Sequence, residues 1–256
     1  MIKIRISSRS KNKIKFNTDH INYKNSKDEL VPSVTTILKV LAKDDVLMIW
    51  ANNLGWRKKS YKQELEKSSI IGTTAHAFCE YMMTKDEELL SQIKTRMETF
   101  AEDIFDPTMN AINSFKKWYS NNSDRFKVIE SELSMSCEDF GGTTDLVCEF
   151  DNKLMLLDFK TSSSFYMTQF LQLAAYSIMY EKTYNKKIED VAVLRLDKKN
   201  GKEAELLKLS SLPNGNLNYY KHIFKIIVKL YKYHNVLTND WDDYNKLIKL
   251  GIPFNN

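Results

Sequence analysis

Lys153-Leu154-Met155-Leu156-Leu157-Asp158-Phe159-Lys160 is the stretch on which the reading of this chain turns. A short apolar run bounded by charge reads as a buried strand. Side chains at i and i+2 of a strand project to one face, so Asp158 and Lys160 emerge together while Phe159 turns into the core. Upstream, Asp145 closes Gly141-Gly142-Thr143-Thr144-Asp145, where a second strand-like run begins and continues to Phe150. A third run, Phe126 to Met135, comes before it and carries Glu130 and Glu132.

An Asp-x-Lys alone on a strand is an ordinary surface ion pair. Acid, acid and acid-x-lysine on three successive strands, with a helix following, is a more specific arrangement. Carboxylates hold a hard divalent cation, and cation and ammonium together stabilise charge on a phosphate and an attacking water. These residues therefore point to metal-dependent phosphodiester hydrolysis. Asp145 is expected as a direct ligand, Asp158 as the second carboxylate, and the Phe159 carbonyl as a further oxygen donor. Lys160 has three readings: it orients the water, stabilises the transition state, or acts as general base once desolvated. Glu130 and Glu132 share a face, and the strand pattern alone does not choose between them. Gly141 and Gly142 permit a sharp turn or a close approach of backbone to a ligand.

Two helical stretches add polar candidates. In Gly72-Thr73-Thr74-Ala75-His76-Ala77-Phe78-Cys79-Glu80, His76 shares a face with Thr73 and Glu80, and Glu80 could fix its tautomer. After the lysine, Gln169, Gln172 and Tyr176 form a stripe on a helix from Tyr166 to Tyr184. Gln172 and Tyr176 are expected to hydrogen-bond phosphate or Lys160, and a solvated helix face is the plainer alternative. Arg57, Lys58 and Lys59 lie beside Trp50 and Trp56. They form either a track for single-stranded DNA or an exposed charged face.

The bulk numbers fit this reading. A chain of 256 residues with 43% hydrophobic and 28% charged residues is an ordinary globular protein, with room for one large domain. A net charge of +5 suits a polyanionic partner without demanding one. No apolar run approaches the roughly 20 residues of a membrane span, and no secretory signal is evident. The scattered Cys79, Cys137 and Cys148 suggest neither a disulfide framework nor a zinc site, so a reducing, cytoplasmic location is expected.

Along the chain we expect short strands up to about residue 24 and a helix opened by Ser33. A further helix runs from Asp44 to Trp50, another from Ile71 to Met83, and helix again from Glu87 to Tyr119, interrupted near Pro107. Strands follow at 126–136, 143–150 and 153–160, then the Tyr166 helix, a strand at Val191–Leu196 and a partner at Glu205–Leu209. Helix returns from Asn216 to Tyr233 and from Trp241 to Leu250. The fold class expected is mixed α/β: a single domain with a helical part at 1–120, a β-β-β-α-β core at 121–210 and a helical tail at 211–256.

Gly72-Thr73-Thr74-Ala75-His76, Glu132, Gly141 to Asp145, Asp158-Phe159-Lys160-Thr161-Ser162 and Gln172-Leu173-Ala174-Ala175-Tyr176 together resemble the PD-(D/E)XK nuclease superfamily, in its RecB-like branch. The opening Val31 to Leu38, with Trp50 behind it, is similar to phage exonucleases and to mitochondrial genome maintenance exonucleases. The resemblance implies a restriction-endonuclease-like core and a Mg²⁺- or Mn²⁺-dependent DNA exonuclease serving viral recombination, repair or genome processing. Single-stranded DNA or DNA ends in the host cytoplasm are the implied partners, with a single-strand annealing or replication protein beside them. His76, Glu132, Asp145, Asp158 and the Phe159 carbonyl would surround the metal, with Lys160 in catalysis, Gln172 and Tyr176 in support, and Thr161 near DNA. With no cysteine after Cys148, the iron–sulfur cluster of some relatives is not expected. A structure-selective endonuclease and an inactive DNA-binding protein are the alternatives.

Overall fold

In the computed structural model, which describes residues 22–41 and 44–249, the three expected strands form one side of a five-stranded sheet. They are β3 (Phe126–Ser136), β4 (Gly141–Phe150) and β5 (Lys153–Lys160), paired antiparallel. β1 (Tyr23–Lys24) and β2 (Leu30–Val31) make a separate small hairpin. Asp151 and Asn152 link β4 to β5 with φ of 52° and 62°, the left-handed pair that a tight two-residue hairpin requires. Helix α6 (Met167–Tyr184) crosses to β6 (Asp190–Arg195), which runs parallel to β5, and β7 (Glu205–Lys208) closes the edge antiparallel. The sheet order is β3-β4-β5-β6-β7.

Alternation of side chains divides the core between the two faces of the sheet. Leu146, Cys148, Phe150, Met155, Leu157 and Phe159 pack with α3 (Tyr61–Thr84), α4 (Glu87–Met97) and α5 (Glu102–Asn122). Val147, Leu156, Val191 and Val193 pack with α1 (Val34–Leu38), α6 and α7 (Leu217–Lys249). β6 is buried along both faces, as a central strand of a covered sheet must be. This is the mixed α/β architecture, with a helical tail, expected from the sequence. Among the described residues no helix is long and apolar enough to cross a membrane.

The helices depart from expectation in informative ways. Ser33 does cap α1, its Oγ accepting the Thr36 N–H at 3.1 Å. α2 (Asp44–Trp56) continues past Trp50, and α3 begins at Tyr61, well before Ile71. The first turns of α3 are largely solvated, so they carry no apolar period to read. The break is not near Pro107. The chain leaves helix at residues 98–101, and Pro107 lies inside α5. α7 is a single helix, since no Pro or Gly between Tyr233 and Trp241 ends it. The strands expected before residue 22 lie outside the described residues.

Candidate active site

The site forms where β4 and β5 part. Their ladder runs from the Phe150–Lys153 pair to the Leu146–Leu157 pair and ends there. Beyond it the Phe159 N–H donates to Asp145 Oδ2 at 2.7 Å, a side chain taking the place of a strand partner. The Lys160 carbonyl accepts from Leu196 N–H at 2.7 Å on the β6 side. By alternation the neighbouring Phe159 turns its N–H and C=O toward β4, into the gap.

α3 brings His76 to the same point, its Nδ1 3.4 Å from Asp145 Oδ2. The His76 ring stands edge-on to Phe159, with centroids 6.0 Å apart. Gly72, one turn earlier, lies against Thr161, since a Cβ there would sit 3.4 Å from Thr161 Oγ1. A carboxylate beside the imidazole thus comes from β4. Asp158 is 1% exposed, and its Oδ2 lies 2.6 Å from Lys160 Nζ. The angle of that contact does not make a hydrogen bond, so this buried oxygen has an ionic neighbour but no directed donor.

Charge in the cluster is unevenly divided. Burial pushes the Asp158 carboxyl up to about 6, against the pull of Lys160, and the nearby Asp145 charge adds to the rise. Burial opposes ionisation of Asp145 as well, but His76, Lys160 and the Phe159 N–H outweigh it and hold that carboxyl below its ordinary value. Burial would lower Lys160, and the Asp158 and Asp145 charges reverse the direction and raise it. The two carboxylates thus favour the ammonium form of the lysine. His76 is raised, burial being overcome by Asp145.

Glu132 falls between the Ser131–Leu146 and Leu133–Thr144 pairs, opposite Asp145 on the neighbouring strand. Its φ is 52°, a left-handed conformation costing a non-glycine residue about 1 kcal/mol, as functional sites tolerate. Glu130 pairs with Val147 instead, and its charge reaches Tyr180 and Tyr184 of α6. The geometry therefore separates two glutamates that the strand pattern left equivalent.

From α6, Gln172 Nε2 donates to the Tyr176 hydroxyl at 2.7 Å. Tyr176 is buried, and burial raises its phenol strongly. Gln169 serves the helix start, its Oε1 accepting Tyr166 N–H and its Nε2 donating to Ser162 Oγ. Gly141 and Gly142 lie within β4, not in a turn. A Cβ on Gly142 would stand 2.4 Å from Tyr176 Cε1, and one on Gly141 would stand 2.3 Å from Tyr23 Cβ. The glycines thus admit two tyrosine rings to the strand. Tyr23 is the residue that sequence reasoning missed. Its hydroxyl bonds Thr143 Oγ1 at 3.0 Å, and Thr143 bonds Ser134 Oγ at 2.7 Å. Burial raises its phenol, and the Glu132 charge adds to the rise. Nothing in its local sequence signals this, because the contact spans 120 positions.

Arg57, Lys58 and Lys59 are not gathered into the cluster. They are exposed on the α2–α3 connection, roughly 22 Å along α3 from His76. Trp50 packs edge-on against Tyr61 at 5.1 Å, whereas Trp56 is 81% exposed beside the basic run.

Among the described residues no three His, Cys, Asp or Glu side chains close around one point. The donors at the fork are two carboxylates, one with a buried oxygen lacking a directed donor, and a carbonyl facing the same gap. Mg²⁺ suits such a partial set, because it keeps several waters and is commonly held by one or two carboxylates plus substrate phosphate. The residues fit a hard divalent cation.

A model of the PD-(D/E)XK nuclease superfamily matches residues 50–242. No curated protein matches the chain. Among solved structures, one from Eubacterium rectale named "Putative exonuclease" is 13% identical, covering 62% of this chain and 68% of its own, with a TM-score of 0.41. A second, SSO0001, is 12% identical over 64% of this chain and 74% of its own, with a TM-score of 0.27.

Proposed function

Since the chain belongs to the PD-(D/E)XK nuclease superfamily, we propose that it is a RecB-like exonuclease hydrolysing DNA phosphodiester bonds with Mg²⁺ or Mn²⁺. The observation that carries this is the contact set at the β4–β5 fork: Asp145 bridging His76 and the Phe159 N–H, with Lys160 against Asp158. Asp145, Asp158 and the Phe159 carbonyl would hold the cation, with Glu132 and His76 beside them. When bound, the cation supplies Lewis acidity toward a phosphate oxygen and lowers the pKa of a water.

The chain's own groups do the rest. Lys160, kept protonated, stabilises negative charge gathering on the phosphate and orients the attacking water. His76 and the Phe159 N–H both hold Asp145 Oδ2, so that the carboxylate is positioned before substrate arrives. The Gln172–Tyr176 pair supports the catalytic groups from α6, and Thr161 contacts DNA next to the lysine. Trp56 with Arg57, Lys58 and Lys59 offers a stacking ring and cations to a single strand further from the reaction. Recombination, repair or genome processing in a phage or other virus is the setting in which we read the activity.

The test is degradation of end-labelled single- and double-stranded DNA with Mg²⁺, Mn²⁺ or EDTA, beside Lys160→Ala. Metal-dependent loss of terminal label, reduced at least about 100-fold in the variant, is expected. Equal activity in Lys160→Ala would sink the site, and internal cutting of circular DNA would replace exonuclease by endonuclease.

A further inference from the structure

α7 outruns the body that supports it. Phe224, Ile227, Val228 and Tyr231 pack into the core, but every residue from Lys232 to Asp242 is exposed. A second apolar stripe runs along the helix: Ile226 and Leu230 are each 49% exposed, Leu237 61%, Trp241 64% and Tyr233 70%. At 100° per residue these five fall within a sector of about 80°, centred roughly 130° from the core-facing stripe. A largely exposed apolar stripe of this length marks an interaction surface, and a helical extension that leaves its supporting body is marginal in water.

We propose that a second copy of this chain docks on the stripe, the two α7 helices running antiparallel across a two-fold axis near Tyr233. The charges bordering the stripe choose this occupant. Lys229 borders one flank, with Lys225 one turn earlier and further round on the same side, and Asp240 borders that flank toward the other end of the helix; all three are exposed. In an antiparallel pair, like flanks meet and the ends exchange. Asp240 of each copy then lies between Lys225 and Lys229 of the other, while Ile226 meets Trp241 and Leu230 meets Leu237 across the seam. A parallel pair would set the lysines against the opposite flank at their own level, where Ile223, Ile227 and His234 offer no acid. The apolar seam supplies affinity, and the charge pairs fix orientation. This assignment does not depend on the nuclease reading. It would set the interface on the helix that packs behind α6, the element carrying Gln172 and Tyr176.

The test is the mass of the full chain in solution, by sedimentation over about 1 to 100 µM, the range in which interfaces of modest size assemble. A dimer of twice the 30.0 kDa chain mass is expected. Leu230→Glu with Leu237→Glu should yield a monomer with unchanged circular dichroism, since both residues are exposed. Lys229→Glu should weaken the dimer about tenfold, and adding Asp240→Lys should restore it. A monomer at every concentration would overturn the proposal and leave the stripe to a different partner. A dimer indifferent to the Leu230 and Leu237 changes would overturn it too, as would a charge exchange that fails to rescue.

Discussion

Asp158 is almost wholly buried, yet it must be ionised to hold a metal. Burial lifts its carboxyl from 3.8 to about 6, so the folded protein favours the protonated form more than the unfolded chain does. Above that value the carboxylate is ready for a cation; below it, each cation must displace a proton. Mn²⁺ affinity is therefore expected to fall by at least about tenfold per unit as pH drops below about 6, the His76 imidazole, raised above its ordinary 6.5, adding to the fall. Calorimetric titration across that range checks it, and a flat profile would mean that Asp158 is no ligand. A second buried oxygen makes the opposite case. Thr144 Oγ1 is buried with no hydrogen-bond partner, so its hydroxyl only costs desolvation. Thr144→Val is expected to stabilise the protein by about 1 kcal/mol, read from chemical denaturation. Residues such as Asp158 and Lys160 were legible because their relation is local, two positions along one strand. His76 and Asp145 were both singled out, but their mutual contact was not, because Glu80 one turn away offered a nearer carboxylate than one on a distant strand.

Strands β3, β4 and β5 stood out in the sequence because buried apolar runs bounded by charge and a tight hairpin leave a local signature. Helices α2 and α3 were cut short and α7 was split in two. The solvated first turns of α3 carry no apolar period. Between Tyr233 and Trp241 the adjacent Val236 and Leu237 are too thin a signal beside the polar residues around them, so only the absence of a Pro or Gly implies continuation. The glycine pair shows a related limit. Its sequence context announces a constraint but not which element imposes it, and the answer is two aromatic rings, one from the β1–β2 hairpin and one from α6. Gly142→Ala is accordingly expected to cost about 2 kcal/mol, because the Tyr176 ring is buried and has little room to retreat. Tyr176→Phe keeps the ring and removes only the bond from Gln172, so it should cost about 1 kcal/mol. Urea unfolding of the two variants separates packing from hydrogen bonding. Equal losses would mean that the β4–α6 contact is less tight than described.

Across the whole molecule, the β-β-β-α-β order was readable because each connection is short or a single helix, whereas the reach of α7 beyond the core was not. Solvated and partner-covered helix faces can carry the same residues, and only a folded body shows which face is already used. The same wholeness governs the site. Asp145, Asp158 and Lys160 come from two strands, His76 from a helix on one face of the sheet, and Gln172 and Tyr176 from a helix on the other. A cation bound at the fork draws on ligands from two strands, and the unfolded chain does not hold them together. Its binding energy therefore adds to folding stability. At about 100 times its dissociation constant, Mn²⁺ should add about 2.7 kcal/mol, which for a chain of this size raises the melting temperature by about 5 to 10 °C. Asp158→Asn should abolish the increment, and Leu230→Glu with Leu237→Glu should leave it intact, because those residues lie on α7 away from the fork. Thermal unfolding with Mn²⁺ and with EDTA measures all three without any nuclease substrate. If Asp158→Asn kept the full shift, the cation would be bound elsewhere, and the carboxylates at the fork would need another explanation for their burial.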